Sequence, residues 1–239
     1  MINKALLMAL IFLFTGAFAY SQTVDQILEK SLKMSGYSEK SEQVVPVKIV
    51  GKMSAMGMEF PFTMFQKKPM FRIEQEMMGQ KTTAAFDGKE AWMMSPMAGD
   101  KPQKLPENML GQMKSQSNYG ENPITALKED GAKFEKLANE AVDGKDAFKI
   151  KITTKDKQEQ FLFIDAKSYL PVKTTTKTEM MGQLQDAEIY YKDYRLTGKL
   201  QMPYLIEINA GTNKMKVIFD SVEPNAKFDD SIFKMPVSK

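Results

Sequence analysis

From Val44 onward, apolar and polar residues alternate with a period of two, and this constrains the fold more than any other feature of the chain. Val47, Ile49 and Met53 alternate with Lys48, Val50 and Lys52. Met58, Phe60, Phe62 and Met64 alternate with Glu59, Pro61 and Thr63, and Phe71, Ile73 and Met77 alternate with Arg72, Glu74 and Glu76. Successive side chains on a strand point to opposite faces, so these runs read as half-buried antiparallel strands with one apolar and one wet face. Pro61 cannot donate to a ladder and argues for an edge or a bulge.

Turn residues punctuate the runs. Met78-Gly79-Gln80, Asp87-Gly88, Asp143-Gly144, Met181-Gly182-Gln183 and Ala210-Gly211-Thr212 each separate two strand-like segments. Further strands are expected at 148–154, 159–165, 172–179, 187–194, 204–209 and 215–221. About ten strands without a βαβ rhythm predict a mainly antiparallel sheet that is strongly curved or barrel-like. Between Trp92 and Lys133 four prolines interrupt the pattern, and residues 107–114 and 123–128 read as short helices lying across one opening. Before the strands, residues 23–35 read as an amphipathic helix. Thr23 caps it, Val24, Ile27, Leu28 and Leu32 share one face, and Gly36 ends it.

Residues 1–22 have the layout of a secretory signal peptide: a lone cation at Lys4, an apolar run from Ala5 to Phe14, then small residues that place cleavage after Ala19 or after Ser21. No later stretch reaches the roughly 18 apolar residues that a membrane helix needs, so the expected mature protein is exported and soluble. Residues 23–239 carry no low-complexity linker and are expected to form one domain.

Composition narrows the chemistry. The chain has no His and no Cys, which excludes Ser-His-Asp, Cys-His and thiolate catalysis and removes the preferred ligands of zinc, copper and iron. Its 33 basic and 30 acidic residues give a charge of +3, or 32 − 30 = +2 without Lys4, which is no nucleic-acid footprint. No enzyme, catalytic residue, metal or cofactor is expected. Of 20 methionines, ten lie between Met53 and Met97. Flexible, polarizable Met fills cores, but clustering on consecutive strands favours a lining that repacks around varied apolar partners.

Other candidates read as structure. Asp143-Gly144-Lys145-Asp146 lacks the regularly spaced oxygen ligands of a calcium loop and reads as a hairpin turn. Asp229-Asp230 reads as a turn or the start of a short helix. Glu74, Glu76, Glu188 and Glu207 lie on predicted outer faces and form no glycosidase pair. Lys67-Lys68, Lys173 and Lys177 read as solvated faces. Trp92, the only tryptophan, is either core or a cavity wall.

Several strings, in order, resemble the LolA-like family of periplasmic lipoprotein-sorting proteins: Phe86-Asp87-Gly88 followed by Trp92, Phe163-Ile164-Asp165 with Tyr169-Leu170-Pro171, Asp193-Tyr194-Arg195 with Gly198 and Met202-Pro203, and Asn225, Asp229-Asp230, Phe233 and Pro236 at the end. The resemblance implies an incomplete, half-open barrel with a helical lid over an apolar cavity. It also implies a monomer in the periplasm that carries the acyl chains of lipoproteins, or lipid, from an inner-membrane donor complex to an outer-membrane acceptor, with no nucleic acid involved. The expected cavity lining is Val47, Ile49, Met53, Met58, Phe60, Phe62, Met64, Phe71, Ile73, Met77 and Trp92, with Met109, Leu110 and Met113 on the lid. Proteobacterial carriers use a lid arginine to hold the closed state. The only arginines here, Arg72 and Arg195, sit on predicted strands. Two other classes stay open: a lipid-sensing regulator of the RseB-like kind, and a non-catalytic structural envelope protein with a filled barrel.

Overall fold

The computed structural model describes residues 22–37, 45–77, 79–99, 101–106, 123–180 and 183–236. The expected leader, except Gln22, and the expected lid residues Met109, Leu110 and Met113 lie outside them. Helix α1 (Val24–Met34) precedes strands β1 (Val47–Ala55), β2 (Met58–Lys67), β3 (Met70–Met77), β4 (Gln80–Phe86), β5 (Ala91–Met94) and β6 (Gln103–Lys104). Helix α2 (Pro123–Glu129) follows, then β7 (Lys133–Lys136), β8 (Glu140–Val142), β9 (Lys145–Thr153) and β10 (Glu159–Asp165). The chain continues through β11 (Pro171–Met180), β12 (Gln183–Thr197), β13 (Leu200–Ala210) and β14 (Asn213–Pro224), and a short 3-10 turn spans Asp230–Phe233.

The strands form one antiparallel sheet in the order β6-β5-β4-β3-β2-β1-β14-β13-β12-β11-β10-β9-β7, with β8 paired to β9. It stays open between β6 and β7, so the fold is an incomplete antiparallel barrel. Pro61 departs from the edge expectation, because β2 lies between β1 and β3. The β3 ladder begins only at Phe62, so Pro61 sits past its end and breaks nothing.

Residues directly opposite one another in a ladder share a face, so the registers sort the side chains. On one face, here the helix face, Leu162 is opposite Ile150 and Thr174, Thr174 is opposite Ile189, and Ile189 is opposite Ile208. The series runs on through Met215 to Ala55 and Met58. Both helices pack on this face at the β9–β10 end. Ile27 and Leu28 of α1 and Ile124 of α2 bury against Phe148, Ile150 and Leu162. Thr23 caps α1 in a reciprocal box with Gln26, satisfying N–H groups that the first turn leaves open.

The far end of α1 is fixed by glycine. Gly36 has φ +82°, and a Cβ there would lie 1.9 Å from the Lys199 carbonyl oxygen. Only glycine lets the helix end so close to the β12–β13 turn, where the Gln201 N–H donates to the Ser35 carbonyl at 3.0 Å. The helix is thereby tied to the sheet at its C-terminal end as well as along its apolar stripe.

Candidate functional site

The helix face of β1–β3 brings together the ten residues of these strands expected to line a cavity. Met64 is paired with both Ile49 and Ile73, and Met53 with Phe60. Val47 and Phe71 are each opposite Gln66, and Met58 is opposite Ala55. Gly51 faces Phe62 across the ladder, and a Cβ at Gly51 would stand 2.3 Å from the Ile218 carbonyl oxygen and 3.0 Å from the Phe62 ring. The glycine therefore gives the Phe62 ring its seat. Met77 occupies the matching register position, opposite Gln80.

Two strands outside the expected lining, β13 and β14, complete this surface. Because β14 pairs with β1, Met202 and Tyr204 of β13 and Phe219 of β14 bury against Ile49 and Phe62, with Ile206 and Val217 packed alongside. A second cluster of Phe71, Phe86 and Ala91 extends it to β5, where Leu105 packs on the same face. The alternation Tyr204, Ile206, Ile208 is the same signal that marked β1–β3. What the sequence did not reveal was that the last strand lies beside the first.

Burial along this surface is uneven. Ile49 and Phe71 are sealed, at 0% and 1% exposure, while Met53, Phe60, Met64, Ile73, Ile206 and Val217 are only half-buried among the described residues. Neither α1 nor α2 is part of these two clusters, so among the described residues this end of the helix face lacks the helical cover that the β9–β10 end has. Toward the strand ends the methionines emerge: Met58 is 42% exposed and Met56, in the β1–β2 turn, 79%.

Trp92 departs from the expected set. It is opposite Ala85, which is opposite Arg72, and so belongs to the outer face. There the segment after β14 covers it. The Trp92 Nε1–H donates to the Phe233 carbonyl at 2.7 Å, and Arg72 donates to the Ile232 carbonyl at 2.6 Å while lying over the indole. Phe65, Phe228 and Phe233 stack edge to face beside it, and Lys67 holds Asp230. Asp229, at the expected start of a short helix, caps the 3-10 turn by accepting from the Ser231 N–H. This C-terminal strap makes Trp92 a core residue of the outer face, at 1% exposure.

Glu74, Glu188 and Glu207 on the outer face are engaged by cations. Glu188 sits below the ordinary carboxylate range because Lys173 bonds it, aided by Tyr190. Glu207 is lowered likewise by Lys192 and then Lys216. Burial would raise Glu74, yet bonds from Lys81 and Arg72 outweigh it and the net shift is downward. These are ladder ion pairs. Asp143-Gly144 forms the β8–β9 turn, with φ +48° and +76°. Arg195 on β12 pairs with Asp193 and lies over the Tyr204 ring, while Arg72 holds the strap.

Solved structures with the same architecture exist. A LolA superfamily protein from Nitrosomonas europaea superposes with a TM-score of 0.56 at 17% identity, over 90% of this chain and 98% of that one. A DUF1329 family protein from Desulfovibrio piger gives 0.58 at 11% identity, over 90% and 98%. A domain named for outer membrane lipoprotein sorting, from Vibrio parahaemolyticus, gives 0.54 at 13% identity, over 87% and 94%. No protein-family model matches the sequence, and no curated protein matches it. At these identities the likeness is one of fold.

Proposed function

We propose that this chain, whose fold is LolA-like, is a non-catalytic carrier that holds the acyl chains of lipoproteins or lipid against the half-buried apolar surface of β1–β3, β13 and β14. The observation that carries the reading is the contrast between the two ends of the helix face. Two helices fill the β9–β10 end, whereas Met53, Phe60, Met64, Ile73, Ile206 and Val217 stay half-buried with no helix over them among the described residues. Monomeric proteins seldom leave a large contiguous apolar surface without a use.

The energetics suit a carrier. Burying one CH₂ stabilises by about 0.8 kcal/mol, so a 16-carbon chain gains on the order of 12 kcal/mol. Several chains gripped at full density would not come off. Methionine beside phenylalanine gives a surface that conforms without close packing, which favours release. The likeness to a domain named for outer membrane lipoprotein sorting supports the same reading. With residues 1–22 as a leader, the carrier works in the periplasm as a monomer, passing cargo from an inner-membrane donor toward the outer membrane, and Met109, Leu110 and Met113 belong to its lid. Among the described residues, no helix is long and apolar enough to cross a membrane.

Native mass spectrometry of the mature protein, purified from a periplasmic extract without detergent, tests this. Added mass that matches an acylated lipoprotein or lipid and is lost on organic extraction is expected. A clean apo mass together with no uptake of a fluorescent acyl probe overturns the reading.

A further inference from the structure

The helix face is not apolar throughout. Between the helix-filled end and the half-buried surface, β11 presents Thr174 and Thr176, opposite Ile189 and Ala187 of β12. On either side the same rows hold Leu162 of β10 and Ile208 of β13. Next along β12 comes Tyr191, opposite Ile206, with its hydroxyl donating to Thr174 Oγ1 at 3.3 Å. Tyr194 donates to the Pro171 carbonyl at 2.7 Å, where β11 begins. Tyr37 follows the Gly36 turn, its N–H bonded to the Leu32 carbonyl, and stands close enough to Tyr194 to act on its ionisation.

These hydroxyls stay neutral. Burial pushes Tyr37 and Tyr191 up from their ordinary value, and burial together with Tyr191 and Tyr37 pushes Tyr194 further. A row of neutral hydroxyls is a poor wall for hydrocarbon, since covering a hydroxyl without giving it a partner costs free energy. It is a good wall for neutral acceptors. Tyr191 spends its proton on Thr174, which leaves the Thr174 O–H to donate onward. Beside a surface for acyl chains, the atoms that need such donors are the carbonyls joining those chains to their polar end.

We infer that Tyr191 and Thr174, with Thr176 beside them, form a subsite for the ester or amide carbonyls of an acylated ligand, and that its chains run from there onto the Ile206–Met53 surface. The inference rests on the carrier reading and adds a selectivity to it: acyl-linked lipids over alkyl chains lacking a carbonyl.

The test compares a fluorescent diacylglycerol with its dialkyl ether analogue, which has the same chains and no carbonyls, on the wild type, Tyr191→Phe and Thr174→Val. The wild type is expected to prefer the ester by about tenfold, the worth of one well-placed hydrogen bond, and either variant to lose that preference while holding the ether as before. Equal binding of both probes by the wild type, or an undiminished preference in both variants, overturns the subsite and leaves the carrier standing. Failure of the wild type to bind either probe removes both. Tyr191→Phe keeps the ring, and unchanged ether binding is the check on its folding.

Discussion

Trp92 donates its indole N–H to the main-chain carbonyl of Phe233 at 2.7 Å, and through that bond the last turn of the chain closes over the outer face of β3–β5. The single tryptophan therefore reports on the strap and not on the proposed acyl surface, which lies on the other side of the sheet. Acyl-probe binding is expected to leave the wavelength of Trp92 emission unchanged, whereas a chain ending at Lys227 should emit to the red. A ligand-induced shift in the full chain would move the binding site to the outer face.

The same bond bears on stability. Trp92→Phe keeps an aromatic ring but strands a buried carbonyl, which costs about 1–3 kcal/mol. Urea denaturation followed by far-UV circular dichroism measures it, and a cost near zero would mean that Arg72 and the Phe228–Phe233 stack hold the strap unaided.

Neighbouring residues on β2 test the assignment of faces. Met64 lies on the helix face, packed with Ile49 and Phe62, and Thr63 on the outer face, opposite Glu74. Met64→Glu should weaken uptake of a fluorescent acyl probe by more than about tenfold, since the chain would have to bury against a carboxylate. Thr63→Glu should leave uptake intact. Equal uptake by both folded variants would detach β2 from the acyl surface.

Gly36→Ala probes the anchoring of α1. The methyl would meet the Lys199 carbonyl oxygen in a backbone region that disfavours L side chains. The expected loss is about 1–3 kcal/mol, with hydrogen exchange rising first in α1 and at the Gln201 amide. Unchanged protection there would show that the apolar stripe alone holds the helix.

Acid should loosen the β10–β11 turn. Burial raises the Asp165 carboxyl, but bonds from the Ser168 N–H and hydroxyl and the Lys167 N–H outweigh it, so the net shift is downward. A lowered folded value means that Asp165 stabilises the fold above its unfolded value of about 3.9, and that this contribution fades as pH falls through the lower folded value. Urea midpoints at pH 7 and pH 3 should converge between wild type and Asp165→Ala at the acid end. A constant gap would mean that the turn depends on something other than the carboxylate.

Much of this architecture was legible in local spacing. The helix from Thr23, the alternation in β1–β3 and the glycine turns of five hairpins follow from periods and turn residues, which act over a few positions. Edge strands of two to four residues, such as β6 and β8, are too short to show a period. The Met56-Gly57 turn, with Met56 at φ +52°, carries an apolar residue where turn chemistry favours Asn or Asp, and it gave no signal. The sequence leaves Trp92 open between core and cavity wall because an isolated aromatic after a turn has no parity to read. Its face is set by Ala85 and by a partner at Phe233 that no short window contains. The Tyr191–Thr174 contact was hidden for a related reason: a β-branched row in β11 reads as strand propensity and says nothing of what it faces.

The pairing of β1 with β14, from Val47 opposite Pro224 to Ala55 opposite Met215, has a kinetic side. Every other neighbour in the sheet lies close by in sequence, so each flank can assemble from hairpins on its own. The seam between them closes the longest loop in the chain and is expected to form last, setting the folding rate. Until it does, β1 and β14 are bare edges beside an apolar face, ready to add a strand from a second molecule. Under the proposed export and carrier role, the chain would meet that hazard before it could take up a ligand, and the Gly51 site, where the two flanks lock around Phe62, marks the point at which it ends.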